Sequence, residues 1–247
     1  MGWFKNRFLK EGAGRAAPAS GWSRCGSMGL THFWKLVRVN LLFLLFSLPV
    51  VTLPAALTAL DRVCVLIYKD GNVFLWDEFW KEFRRSLLRA LVPGLCFGIL
   101  LYGGYFFLSL GNGNFGSLYG IVFWCLGLIM VAAAVIWGEY FFVLISILDI
   151  DNRRALKNAL ILWLAKPGYA LLSLFITLVL FFVDLALLPM ITPFLVALIG
   201  IVLAQYPICY MIYDVTEDMI LIPYEKSRQE EASDSHEVFL ESEKNTR

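Results

Sequence analysis

The sequence predicts an all-α fold, a polytopic membrane helical bundle of about five to six membrane segments with two cytoplasmic interfacial amphipathic helices. Three observations carry that prediction. Of 247 residues, 59% are hydrophobic and 17% charged, against about 45 to 50% and about 25% in an average globular chain. Several runs reach about 18 nearly uncharged residues, the length a helix needs to span a bilayer. All 21 Lys and Arg residues fall into four groups, and the connections at 111–117 and 187–193 contain none.

A basic, Gly- and Ala-rich leader occupies residues 1–29, a membrane domain residues 30–215 and a polar tail residues 216–247. The leader carries no sign of a cleaved signal peptide, because its apolar stretch would begin only near Asn40. Asn6 stands where a myristoylation signal has Ser or Thr. The apolar segments cover 33–48, 54–68, 91–110, 117–146, 168–188 and 190–213. The tail, rich in Glu, Ser and Lys, has too few apolar residues to fold alone.

The first two segments meet at "FSLPVVTLPAAL", Phe46 to Leu57, where Pro49 and Pro54 bracket four residues. Each proline removes a donor and blocks the preceding helical turn, which favours a turn over one continuous helix. The charges favour it too, since Lys and Arg are retained on the cytoplasmic side. Seven of them precede the first apolar core, six lie between Arg62 and Arg89, four between Arg153 and Lys166, and four in the tail. One crossing at 40–60 with the N-terminus inside puts the last fourteen outside, and the reverse orientation puts the first seven outside. A hairpin puts none there and leaves both termini cytoplasmic. Length pulls the other way. Each arm has about 16 residues, or about 24 Å, against a hydrocarbon core of about 30 Å. A full hairpin, a re-entrant pair and one broken crossing all remain open at this point.

Two basic stretches read as interfacial helices. "WDEFWKEFRRSLLRAL" (76–91) sets Trp76, Phe79, Trp80 and Phe83 on one face, with Arg84 and Arg85 mainly elsewhere. "NRRALKNALILWLAKPG" (152–168) opens with Arg153 and Arg154 and spaces Leu156, Ala159, Leu160 and Trp163 in the same way. Each leads through Pro-Gly into two apolar segments, so the chain reads as three helical hairpins. These helices either anchor the hairpins at the membrane or offer Trp76, Phe79, Trp80, Phe83, Arg84, Arg85, Arg153 and Arg154 to a docking partner.

Counted outward from the proline turn, Asn40 lies as far along the first arm as Asp61 and Arg62 lie along the second. Charges at membrane depth are costly and pair or face a polar cavity. Asn40, Asp61, Arg62 and Arg38 therefore form the candidate polar cluster, either as a structural clasp or as a solute or ion site. Glu139 reads as a headgroup-level acid, and Asp184 is similarly close to the opposite end of its helix. The spacings Gly94 to Gly98 and Gly116 to Gly120 match G-x-x-x-G, which favours close helix packing.

No Walker A loop, H-E-x-x-H pair, G-x-S-x-G elbow or Cys-His cluster occurs, and the only histidines are His32 and His236. The five cysteines are odd in number, widely spaced and mostly within apolar runs, as expected of small core residues. The expectation is a non-enzymatic protein without metal or cofactor, whose partner is the lipid bilayer and not nucleic acid.

The leader "MGWFKNRFLKEGAG", the run "NLLFLLFSLPVVTLPAALTALDRVCVLIYKDGNVFLWDEFWKEF" and the later "LKNAL" resemble the YesL family of bacterial integral membrane proteins, whose function is unknown. The resemblance covers roughly residues 1–215, with "NLLFLLFSLPVVT" its most specific part. It implies the bacterial cell membrane and an accessory part in carbohydrate uptake or its control, with ABC transporter subunits or a sensor kinase as partners. It implies no catalytic or ligand residues. The rival expectation is a small-solute permease or channel whose path is lined by the polar cluster.

Overall fold

The computed structural model describes residues 21–71, 73–114, 116–186, 199–224 and 226–229. Among them every regular element is helical. Helix α1 spans Trp22–Thr31 and α2 Phe33–Ser47. A 3-10 turn, Val50–Thr52, leads into α3, Leu53–Asp70. Helix α4 is Leu75–Arg89, α5 Leu91–Gly113 and α6 Leu118–Ile147. Helix α7 is Asn152–Ala165, α8 Pro167–Ala186 and α9 Ile201–Thr216, which runs on into a π-helical turn, Glu217–Leu221.

Among the described residues three elements are long and apolar enough to cross a membrane: Val50–Asp70, Leu91–Gly113 and Leu118–Ile147. The number is up to five if the bent pairs α1–α2 (78°) and α7–α8 (100°) each count as one span. This is a multi-pass membrane bundle whose described residues reach the expected five to six only if both bent pairs are spans. The sixth expected segment, 190–213, is described only from residue 199 onward, where α9 supplies 16 helical residues. The leader up to residue 20 and the tail beyond residue 229 lie outside the described residues.

The proline stretch folds as a hairpin. Pro49 leaves the helix with φ −77° and ψ 113°, and the Val50–Thr52 turn reverses the chain. Thr52 donates its hydroxyl to the carbonyls of Phe46 (2.6 Å) and Pro49 (2.7 Å), and its amide reaches the Pro49 carbonyl at 2.8 Å. Two prolines contribute no N–H, and one threonine serves two carbonyls, so the turn meets much of its own hydrogen-bonding need. That suits the apolar surroundings announced by exposed Leu48, Val50 and Val51. At the open end, Lys35 Nζ donates to the Gly71 carbonyl at 2.7 Å. Gly71 ends α3 with φ 67°, its amide bonded to the Ile67 carbonyl. A Cβ there would lie 2.7 Å from His32 Nε2, so both its conformation and the close approach require glycine.

Helix α3 is the centre of the bundle. Over its most apolar window 56% of residues are buried, against 17% for α5 and 22% for α6. The last two form a hairpin that exposes large side chains such as Ile99, Tyr102, Tyr105 and Ile129. Its seam is set by glycine at seven-residue spacing, Gly104 and Gly111 on one helix and Gly120 and Gly127 on the other. A Cβ on Gly127 would sit 2.8 Å from the Gly104 carbonyl oxygen, and one on Gly111 would sit 2.9 Å from the Trp124 amide. The expected G-x-x-x-G pairs divide differently. Gly94 meets Pro54 of the hairpin and Gly120 meets Asn114, while Gly98 and Gly116 face open space. Ser117 caps the N-terminus of α6, accepting from the Gly120 amide at 3.2 Å.

Helix α9 runs beside α3 in the same chain direction. Gln205 and Cys209 lie against Asp61, and Tyr210 and Tyr213 against Tyr68. Its end meets the start of α8, where Tyr169 faces Asp214 and Lys166 pairs with Asp218 at 2.8 Å.

Candidate functional site

The residues that could bear function form two groups, a buried polar core and a charged joint between α4 and α7. In the core, Asp61 is fully buried in the middle of α3. Its Oδ1 accepts from Gln205 Nε2 at 2.8 Å and from Cys209 Sγ at 3.4 Å, while Oδ2 is buried without a hydrogen-bond partner. Asn40, also fully buried, accepts from the Val202 amide at 3.2 Å. Both arms of the hairpin therefore engage α9, less than one turn apart.

The other two residues of the expected cluster lie elsewhere. Arg38 is exposed, and Arg62 turns to α6, donating to the Ser146 carbonyl at 2.9 Å. Helical geometry is the reason. A residue two positions away points to nearly the opposite side of a helix, and a neighbour points about a quarter-turn away. Gln205, Cys209 and Val202 take their places. Gln205 had a sequence signal, as a lone amide in the apolar run "VLAQYPICY".

Beyond α3, Glu139 of α6 accepts from Thr177 of α8 at 2.7 Å through Oε1, while Oε2 is buried without a partner. The side chain of Asp184 lies outside the described residues.

In the second group, the aromatic stripe of α4 faces inward. Phe79 and Phe83 are buried, and Phe46 at the hairpin tip packs against Trp76, Phe79, Trp80 and Phe83 at centroid distances of 5.0 to 6.3 Å. The stripe is legible in the sequence, but the protein side chain that covers it is not. Trp76 is half exposed and stacks on Trp80, and the guanidinium of Arg84 lies 4.5 Å from the Trp80 ring centroid. Arg85 pairs with Asp149 and lies 3.8 Å from Glu82. Arg89 reaches Asp149 at 3.6 Å, the Ile150 carbonyl, and Asn152 Oδ1 at 3.2 Å, and Asn152 returns a bond from Nδ2 to the Arg89 carbonyl at 2.8 Å. The end of α4 is thereby fastened to the start of α7, where Arg153 and Arg154 are exposed.

Fold and sites define the class: a multi-pass helical membrane protein whose polar side chains lie at helix junctions. A family model described as "Protein of unknown function, DUF624" matches residues 36–108. The match agrees, over that segment, with the YesL resemblance of the sequence. The matched segment runs from the first turn of α2 into α5, and contains the hairpin, Asn40, Asp61 and the whole of α4. No curated protein and no solved structure matches the chain.

Proposed function

We propose that this chain is a non-enzymatic accessory protein of the bacterial cell membrane, with both termini cytoplasmic. Its partners are the membrane subunits of a carbohydrate ABC transporter or a sensor kinase that governs one. The carbohydrate link comes from the family resemblance. The contact surface is supported by one observation, the joint of Arg89 with Asn152. Two basic helices separate in sequence are fixed end to start, and exposed Arg84, Arg153 and Arg154 are the cations they offer a partner. Arg85 and Arg89 are occupied in making the joint. A fixed patch selects an acidic surface on a partner more sharply than flexible charges do. The test is crosslinking in native membranes during growth on oligosaccharides. Recovery of transporter or kinase subunits by the wild type, and its loss in the triple variant Arg84→Glu, Arg153→Glu, Arg154→Glu, supports the reading. No such subunit in the wild type, with unchanged growth of a deletion strain on every oligosaccharide tested, counts against it.

A second reading, a small-solute permease, is favoured by one feature, the buried Asp61 oxygen without a partner. Solute flux into liposomes that Asp61→Asn abolishes would support the permease, and no flux across a panel of sugars and ions would set it aside.

A further inference from the structure

Two contacts fix how far the hairpin reaches from the charged joint of α4 and α7. The joint lies outside hydrocarbon, because Arg84, Arg153 and Arg154 are exposed, as is Asp149, the partner of Arg85, and exposed charges do not rest among acyl chains. Helix α3 meets the joint at Arg62, which donates to the Ser146 carbonyl at 2.9 Å, three residues before Asp149. The start of α3 meets α5 at Gly94, five residues beyond Arg89, where a Cβ would lie 2.3 Å from Pro54 Cγ. From Arg62 to Val51 is eleven residues, about 16 Å of helix, or half of a hydrocarbon core of about 30 Å. The α5 side gives the same depth. A groove of about 390 Å³ between the tip and α5 is lined by Val50, Val51 and Pro54 against Gly98, Ile99 and Tyr102. Tyr102 is only the twelfth of the 23 residues of α5. A hairpin that crossed the membrane would set its tip beside the far end of that helix, near Gly113.

We propose that the hairpin dips into the leaflet that α5 enters and turns back within it, seating its exposed tip residues Leu48, Val50, Val51 and Leu53 among the acyl chains of that leaflet. The hairpin is then a wedge in one leaflet and not a span, although Val50–Asp70 has the length and composition of one. Its short arms no longer have to bridge about 30 Å. Asp61, next to Arg62, comes to lie at the level of the joint, which removes the cost of an acid at the centre of the bilayer. A wedge of this kind requires neither a transporter nor a kinase, and it leaves Arg84, Arg153 and Arg154 at the surface for either.

The test uses the full-length chain in phospholipid nanodiscs, with exposed Cys96 and Cys125 replaced by serine and nitroxides attached at the exposed positions Val51→Cys, Leu95→Cys and Gly113→Cys. Single labels are read for depth, as collision with dissolved oxygen against collision with a water-soluble nickel chelate, and pairs are read for dipolar broadening. The wedge predicts that the Val51 label, like that at Leu95, collides with oxygen and is shielded from nickel, while the Gly113 label meets nickel. It also predicts stronger broadening for the Val51–Leu95 pair than for the Val51–Gly113 pair. A Val51 label that meets nickel as readily as the Gly113 label overturns the proposal, because the tip would then stand in water. A Val51 label nearer to Gly113 than to Leu95 overturns it as well, because the tip would then occupy the far leaflet. Should Val51→Cys fold poorly, Leu48→Cys on the same tip gives the same readings.

Discussion

Lys35, in the first turn of α2, donates to the carbonyl of Gly71, one residue beyond the end of α3, at 2.7 Å. Thirty-six positions separate the two, and their contact requires the chain to reverse between them. The proline pair of "FSLPVVTLPAAL" is therefore the turn of a helical hairpin, and the account of the buried core depends on it.

The Gly71 cap is the first place to test that geometry. Alanine at φ 67° incurs about 1–2 kcal/mol of backbone strain, and its Cβ would press on His32 Nε2. Gly71→Ala should lower the unfolding temperature of the purified protein, and the double variant Gly71→Ala, His32→Ala should recover part of the loss. An unchanged unfolding temperature in Gly71→Ala would contradict the capped end.

At the other end of the hairpin, Thr52→Val keeps the shape and removes the hydroxyl that serves Phe46 and Pro49. The hydroxyl has one proton, shared between the two carbonyls, and its loss is worth about 1 kcal/mol. The variant should be less stable in thermal unfolding, whereas Thr52→Ser should stay near wild type.

Much of this architecture was legible in the sequence, and the misses share a physical cause. Periodicity and prolines located the helices and the hairpin, because both act over a few residues. Asn40 and Asp61 were legible as inward-facing polar groups on the two arms. Their partners on α9 were not, because 144 positions separate Gln205 from Asp61 and a lone amide in an apolar run names no partner. Arg38 and Arg62 were grouped with them by nearness along the chain, although helical rotation sends them to other faces. The α5–α6 seam was sought at four-residue glycine spacing and lies at seven.

That seam supports a contrast between two glycines. Gly127→Leu drives a side chain into the Gly104 carbonyl and Leu108, while Gly98→Leu enters open space. The first should destabilise by about 3 kcal/mol, at the upper end of overpacking effects. The second should fall within about 0.5 kcal/mol of wild type. Thermal unfolding of both in the same detergent gives the comparison.

The charged joint yields a separation of stability from partner binding. Asn152→Ala removes both bonds with Arg89 and should cost about 1–3 kcal/mol. Arg84→Ala leaves the joint intact and loses only the contact with the Trp80 ring, about 0.5–1 kcal/mol. In membrane crosslinking, Arg84→Ala should weaken capture of the partner by more than this small loss of stability accounts for. Capture that falls only in proportion to stability across both variants would deny the patch a role of its own.

The hairpin itself is tested most directly by a distance between spin labels in the full-length chain, at the exposed sites Trp34→Cys and Asp70→Cys, with exposed Cys96 and Cys125 replaced by serine. An unbroken helix from 34 to 70 would separate the labels by roughly 54 Å at 1.5 Å per residue. The hairpin predicts a short distance, on the order of two helix diameters or about 20 Å. A distribution centred near the longer value would contradict it.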